Sequence, residues 1–147
     1  MDKGIIILLR CVYFANLTTA IIIALLFEML ILEPGLTFGN EEASYWFGIC
    51  GIGLLLVCIP LALKLMSFKH IKAAIKESPK AYQTWSHIRL ALLEGPLLFN
   101  TLAYYLLGCE PKFGYMALMI VVAHLFVWPS LDKMNYEREL SYDQEEA

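Results

Sequence analysis

Charged residues are scarce in this chain, and long polar stretches are scarcer still. Only 17% of the 147 residues are charged, 59% are hydrophobic, and the mean hydropathy is +0.62. Once four long apolar stretches are set aside, too little sequence remains for a soluble domain. The composition therefore indicates one membrane domain, residues 1–147.

Cysteine is also infrequent, and the sequence lacks both the CxxC and the HExxH motif among its four cysteines and three histidines. We therefore predict no metal site and no cofactor. Cys11 and Cys58 lie within apolar stretches, where a thiol acts as a small hydrophobic group. Cys50 and Cys109 fall near the predicted outer surface, where they either pair or stay free. Since no nucleophile–base spacing appears, an enzyme is the least favoured class.

Four apolar stretches approach or exceed the roughly 20 residues that cross a bilayer. They predict spans at residues 5–32, 45–66, 90–108 and 113–128. Each span must be helical, because the bilayer interior offers no partners to unpaired backbone groups. We therefore predict an all-α, polytopic membrane protein. The first stretch is too long for a signal peptide and is expected to remain as an anchor.

Lysine and arginine are distributed unevenly between the connecting segments. The segment 33–44 contains neither, whereas most of them lie in or beside the connector 67–89. Because positive residues concentrate on the cytoplasmic side, we place this connector, both termini and the acidic tail, residues 131–147, in the cytoplasm.

Three local signals predict helix ends. Asn40 is a good N-cap for a helix that continues to Glu77, interrupted only by Pro60. Ser78 followed by Pro79 predicts the start of the next helix, and Gly108 predicts its end.

The connector also carries an amphipathic pattern. Phe68, Ile71 and Ile75 share one face at helical spacing, and lysines occupy another face. This basic contact surface consists of Lys69, Lys72, Lys76 and Lys80. It attracts anionic lipid or binds an acidic partner, and the tail itself is one such partner. The acidic residues of the tail are Glu137, Glu139, Asp143, Glu145 and Glu146. Nucleic acid is not expected, because no aromatic residues alternate with the lysines.

The two halves of the chain resemble each other. Ala15 aligns with Ala91 when span one is laid on span three, and Pro60 aligns with Pro129 when span two is laid on span four. The alignment predicts two duplicated helical hairpins, related by an axis along the membrane normal.

Glu94 is the most informative single residue, because an ionisable side chain within a span is costly and marks a functional site by default. In the alignment of the two halves, Thr18 is the residue that corresponds to Glu94. The other polar residues predicted inside the spans are His124, Asn16 and Asn100. They either hold helices together or, in the case of Glu94 and His124, relay a proton. Four charged residues near the span ends are interpreted as interface residues: Arg10, Lys64, Arg89 and Glu28.

Residues 88–100, their basic lead-in, and Trp128 and Pro129 before a charged tail resemble a family of small, uncharacterised four-helix membrane proteins of Bacteroidota. The resemblance covers most of the chain and implies the bacterial inner membrane, with no known activity.

A shorter stretch around Glu94 is similar to the carboxylate helix of the rotary ATPase proteolipid, subunit c. The matching residues are Ala91, Leu92, Leu93, Glu94, Leu98 and Phe99. This chain departs from that family because its carboxylate is on the first helix of its hairpin and the polar loop motif is absent. The resemblance implies only that Glu94 binds a proton or a cation.

These observations lead to two functional hypotheses. The first is a non-enzymatic accessory or scaffold subunit in the bilayer, with a membrane-protein partner or with further copies of itself. The second is a proton- or cation-handling membrane subunit that uses Glu94.

Overall fold

The computed structural model describes residues 2–35 and 39–143, with side chains described as far as residue 139. Within these residues the regular structure is helical and no strand occurs, which confirms the predicted all-α class. A 3-10 turn, Leu65–Ser67, joins the second and third helices. The helices are α1 (Asp2–Glu28), α2 (Glu41–Lys64), α3 (Lys69–Glu77), α4 (Pro79–Leu106), α5 (Pro111–Phe126) and α6 (Leu131–Asp143).

Two helical segments are long and apolar enough to cross a membrane, Asp2–Glu28 and Glu41–Ser67. A third span results if α5 and α6 count as one bent unit, although a 76° bend separates them. Taken alone, α5 has only 16 residues, and polar side chains such as Glu94 and Asn100 lower the hydropathy of α4. By length and composition, the structure therefore supports a membrane protein with two or three of the four predicted spans.

The caps of the longer helices agree with the sequence. The Asn40 side chain accepts a hydrogen bond from the backbone N–H of Ala43 at 3.1 Å. Ser78 Oγ likewise accepts from the backbone N–H of Lys80 at 3.2 Å. Gly108 follows α4 with φ +81°, a left-handed conformation that glycine adopts without strain.

The prediction of one helix from residue 41 to Glu77 is wrong. The α-helix ends at Lys64, and Phe68 has extended backbone angles (φ −68°, ψ 136°) before α3 begins. The break lets α3 turn so that Ile71 and Ile75 are buried. Helix α1 also stops four residues before the predicted end of span one, and Leu30 beyond it has a positive φ of 56°.

Helix α4 is the centre of the bundle and packs against α1, α2, α3 and α5. It runs parallel to α1, because Phe27 stacks on Tyr105 near the C-terminal ends of both helices and Tyr13 shares a buried cluster with Leu90 near the middle of both. A short turn after α4 reverses the chain, so α5 returns antiparallel beside it.

Helices α3 and α6 pack on each other at the end of the bundle where α2 and α5 finish, and we call this pair the platform. Ile75 and Met134, one from each helix, are fully buried beneath it together with Tyr82 of α4. The amphipathic reading of α3 is confirmed for Ile71 and Ile75. It is wrong for Phe68, which is 48% exposed.

In element order, both halves consist of a long helix, a second helix, a break and a short helix. The aligned prolines nevertheless differ in local structure, since Pro60 lies inside α2 whereas Pro129 lies in the break between α5 and α6. The duplication therefore remains a prediction at the level of whole elements.

Candidate functional site

Glu94 lies on α4 and is half-buried. Its Oε2 atom is excluded from solvent and has no hydrogen-bond partner. An unsatisfied buried polar atom of this kind costs about 1–3 kcal/mol. Glu94 is therefore placed where a proton, a cation or a donor from another molecule would lower its free energy.

His124 is fully buried on α5 and faces α1. Its Nδ1 lies 3.0 Å from the carbonyl oxygen of Ile120 one turn earlier, and its Nε2 has no partner. Tyr13 of α1 donates its hydroxyl to the carbonyl oxygen of His124 at 3.1 Å. No hydrogen bond or ion pair between described residues joins His124 to Glu94, so the structure does not assemble the predicted relay.

Asn100 is fully buried on α4 against the backbone of α2. Its Nδ2 donates to the carbonyl oxygen of Pro96 at 2.9 Å, whereas its Oδ1 has no partner. A Cβ atom built on Gly51 would lie only 2.7 Å from that Oδ1. Asn100 thus occupies the space that the missing side chain of Gly51 leaves.

The two polar residues predicted in α1 differ in position. Thr18 is exposed on the outer face of the bundle and does not reach the interior. Asn16 is half-buried. The stacked residues Phe27 and Tyr105 are separated by the same number of residues as Asn16 and Glu94. Because α1 and α4 run parallel, Asn16 therefore lies at the same level of the bundle as Glu94.

The lysines of the basic contact surface do not form one solvated face. Lys69 and Lys80 are exposed, whereas Lys72 and Lys76 are half-buried. Lys72 lines a cavity of about 210 Å³ between the end of α2 and the platform.

The structure also contains a buried ion pair that the sequence analysis missed. Arg89, interpreted above as an interface residue, is only 3% exposed, and its Nη1 lies 2.9 Å from Glu137 Oε1. Tyr82 donates its hydroxyl to Glu137 Oε2, also at 2.9 Å. Burial and the nearby Glu137 carboxylate raise the pKa of Tyr82 well above its usual value of 10. The only sequence signal was the helical spacing of Tyr82 and Arg89, which lie two turns apart on α4.

The acidic tail therefore meets the basic half of the chain at Arg89. Glu137 makes this contact, and Glu139 is exposed. Asp143 is described only by its backbone, and Glu145 and Glu146 lie outside the described residues.

At the opposite end of the bundle, a polar cluster joins the start of α2 to the start of α5. Ser44 Oγ lies 2.7 and 2.8 Å from the two carboxylate oxygens of Glu110, and Lys112 Nζ lies 2.7 Å from that carboxylate. Hydrogen bonds from Lys112 and Ser44 lower the pKa of Glu110. Glu28, interpreted above as an interface residue, is exposed and also accepts a hydrogen bond from the Tyr105 hydroxyl at 2.9 Å.

All four cysteines are free thiols, so Cys50 and Cys109 do not pair. Among the described residues, no group of three or more His, Cys, Asp or Glu side chains is arranged to hold a metal ion. Comparisons with protein-family models, curated proteins and solved structures give no match to this chain. The two resemblances proposed from sequence therefore stay predictions.

Proposed function

We propose that this chain is a four-span protein of the bacterial cytoplasmic membrane that acts as a non-enzymatic accessory or scaffold subunit. Both ends of the given chain and the platform face the cytoplasm in this proposal. The bilayer and a membrane-protein partner, or further copies of the chain, are its binding partners.

The lengths and surfaces of α4 and α5 support four spans. At 1.5 Å per residue, the 28 residues of α4 extend about 42 Å, more than the roughly 30 Å of hydrocarbon. The 16 residues of α5 extend about 24 Å, and a short span is accommodated by local thinning of the bilayer. Helix α5 also exposes large apolar side chains along its length: Leu118, Met119, Val122, Leu125 and Phe126.

One observation carries the accessory role: among the described residues, Glu94, His124 and Asn100 inside the proposed spans are not hydrogen-bonded to one another. His124 and Asn100 each hydrogen-bond to a carbonyl group of their own helix. No hydrogen bond joins either of them to Glu94. A relay requires such groups to be in contact, and in a single chain they are not.

Purification of the full chain in a mild detergent, followed by native mass spectrometry, tests this role. We expect the chain to be recovered with a stoichiometric membrane-protein partner or as a small homo-oligomer. A large ring of identical copies would contradict the accessory role and favour the second candidate.

A specific observation favours a second candidate function, the handling of a proton or cation. It is the unpartnered, solvent-excluded Oε2 of Glu94 inside a proposed span. In a ring of copies, neighbouring chains would supply the contacts that a single chain lacks.

The substitution Glu94→Gln separates the two candidates. For an accessory subunit we expect folding and partner recovery to stay near wild type, since Gln keeps most of the hydrogen-bonding capacity. For an ion-handling subunit, we expect dye-detected proton flux in proteoliposomes with wild-type protein and its loss with Glu94→Gln. A carbodiimide would then label wild-type Glu94, and protons or the coupled cation would protect it.

Glu139→Gln is the matched control, because Glu139 is an exposed carboxylate of α6. It removes the same charge outside the spans and should change neither flux nor labelling. Flux that persists in Glu94→Gln would exclude the ion-handling function for Glu94.

A further inference from the structure

An apolar groove separates α1 from α5 on the surface of the bundle. Both helices pack on α4, and the groove between them has a volume of about 360 Å³. Ile21 of α1 and Leu118 of α5 line it and are largely exposed, so the groove is open to the outside of the bundle. The hydroxyl of Thr101 in its lining donates to the carbonyl oxygen of Leu97 at 2.8 Å, which leaves an apolar surface. Within the proposed spans, such a groove suits an acyl chain.

The groove leads toward a cationic side chain at the proposed cytoplasmic end of the bundle. On α1, Arg10, Leu17 and Ala24 are spaced by seven residues and therefore lie on one stripe of the helix. Across the groove, Val121 of α5 is likewise seven residues from Trp128. Leu17, Ala24 and Val121 line the groove, whereas the Arg10 guanidinium lies over the Trp128 ring. The two sides of the groove thus converge on Arg10 and Trp128, about 10 Å along α1 from Leu17.

The guanidinium of Arg10 is held in place by two contacts. Its Nε donates to the carbonyl oxygen of Pro129 at 3.1 Å, and its Cζ lies 5.5 Å from the centre of the Trp128 ring. Neither Nη1 nor Nη2 forms a hydrogen bond or an ion pair with another described residue. Because Arg10 is exposed, these two nitrogens are accessible to a ligand. Paired N–H groups of this kind match two oxygens of a phosphate.

The carboxylates of α6 are arranged away from this guanidinium. Asp132, in the first turn of α6, forms no ion pair with Arg10. From its start beside Pro129, α6 extends about 18 Å to Asp143. Arg10 therefore differs from Arg89, which is buried against a carboxylate of the same helix.

We propose that the groove between α1 and α5 binds an anionic membrane phospholipid, with its phosphate on Arg10 and one acyl chain in the groove. An arginine at the cytoplasmic boundary attracts such headgroups by roughly 1 kcal/mol, and tryptophan is typical of that boundary. One leaflet contains roughly 15 Å of hydrocarbon, which equals ten residues of helix, so a chain that starts at Arg10 reaches Ala20 in the groove. This inference rests on the proposed membrane location, which labelling of introduced cysteines tests separately.

Native mass spectrometry of the full chain in detergent, with added phosphatidylglycerol or phosphatidylcholine, tests the proposal. We expect retention of phosphatidylglycerol and weak retention of zwitterionic phosphatidylcholine. Arg10→Gln should bind phosphatidylglycerol about fivefold more weakly, since one arginine contributes roughly 1 kcal/mol. Ala20→Leu fills the groove and should weaken binding of dipalmitoyl phosphatidylglycerol without changing that of the short-chain dihexanoyl form.

Lys64→Gln is the matched control for the charge, because it removes an exposed cation at the end of α2 that does not line the groove. Equal weakening by Arg10→Gln and Lys64→Gln would mean diffuse attraction and would overturn the proposal.

Two further results would also contradict it. Unchanged binding of both chain lengths by Ala20→Leu would exclude the acyl chain from the groove. Full competition by inorganic phosphate at millimolar concentration would replace the lipid with a soluble phosphate compound. If one of the two site variants does not fold, the other decides the question by itself. Loss of the lipid site together with the expected cysteine labelling would leave the proposed membrane location intact.

Discussion

At the residue scale, the buried polar side chains differ in whether another side chain meets them. Arg89, Glu137 and Tyr82 form a set in which each member has a charged or hydroxyl partner. Glu94 and His124 each keep a buried atom without a partner. The first set stabilises the platform against α4. At Glu94 and His124, a proton or a group from another molecule that satisfied the unpartnered atom would lower the free energy.

The raised pKa of Tyr82 predicts that the protein loses folding stability in alkaline solution. Its pKa is raised in the folded protein, so its contribution is complete below the unfolded pKa of about 10 and is lost as the pH rises above that value. At pH 11 this loss amounts to about 1.4 kcal/mol. Measured as the free energy of unfolding in detergent micelles, the decrease from pH 8 to pH 11 should be smaller by about this amount in Tyr82→Phe.

Tyr136→Phe is the control for this prediction, because Tyr136 is 61% exposed on the neighbouring α6. It should show the same alkaline decrease as the wild type. An identical decrease in Tyr82→Phe and the wild type would mean that the buried phenol does not titrate as predicted.

At the scale of elements, the close approach of α2 to α4 and α5 depends on a glycine. A Cβ atom on Gly51 would lie 2.7 Å from Asn100 Oδ1 and 3.2 Å from Met116 Cε. Asn100 is fully buried and held by its bond to Pro96, so it has little room to move. The α2 contact therefore requires that position 51 carry no side chain.

Gly51→Ala should destabilise the bundle, because overpacking of a close contact typically costs about 1–3 kcal/mol. Gly53→Ala makes the same chemical change two residues later, where a Cβ atom would meet nothing within 4 Å. There the higher helix propensity of alanine should leave stability unchanged or raise it by up to about 1 kcal/mol. Denaturation of both variants in micelles measures the difference, and equal stabilities would show that α2 and α4 are not packed as described.

At the scale of the whole molecule, α4 connects every part of the bundle. It contacts α1, α2 and α5 along its length and the platform helix α3 near its start. The ion pair between Arg89 and Glu137 then fixes α6 to the same helix. The platform and the bundle are thus one packed unit, so the orientation of the platform follows that of the spans.

Cysteine labelling tests the orientation of this unit. In a variant with the four native cysteines replaced, Glu42→Cys should react with a membrane-impermeant maleimide in intact cells. Lys69→Cys should react only after the membrane is permeabilised, because the basic connector is expected in the cytoplasm. The opposite pattern would reverse the proposed topology.

Local features of the sequence were sufficient to predict the helical class, the membrane character and several helix ends. The caps at Asn40 and Ser78 involve atoms only two or three residues away, so a short motif predicts them. Apolar stretches likewise indicate helices without reference to the rest of the chain. The unusual position of Glu94 could be recognised in the same way, because its neighbours in the sequence are apolar.

The contacts that organise the sites were decided only in the tertiary structure. Arg89 and Glu137 are 48 residues apart, and Ser44 and Glu110 are 66 residues apart. The break at Phe68, which no proline or glycine signals, allows α3 to pack its buried face on α4 and α6. Such contacts depend on how the helices rotate and approach one another. The side-chain packing of distant residues determines that rotation, and no local pattern contains it.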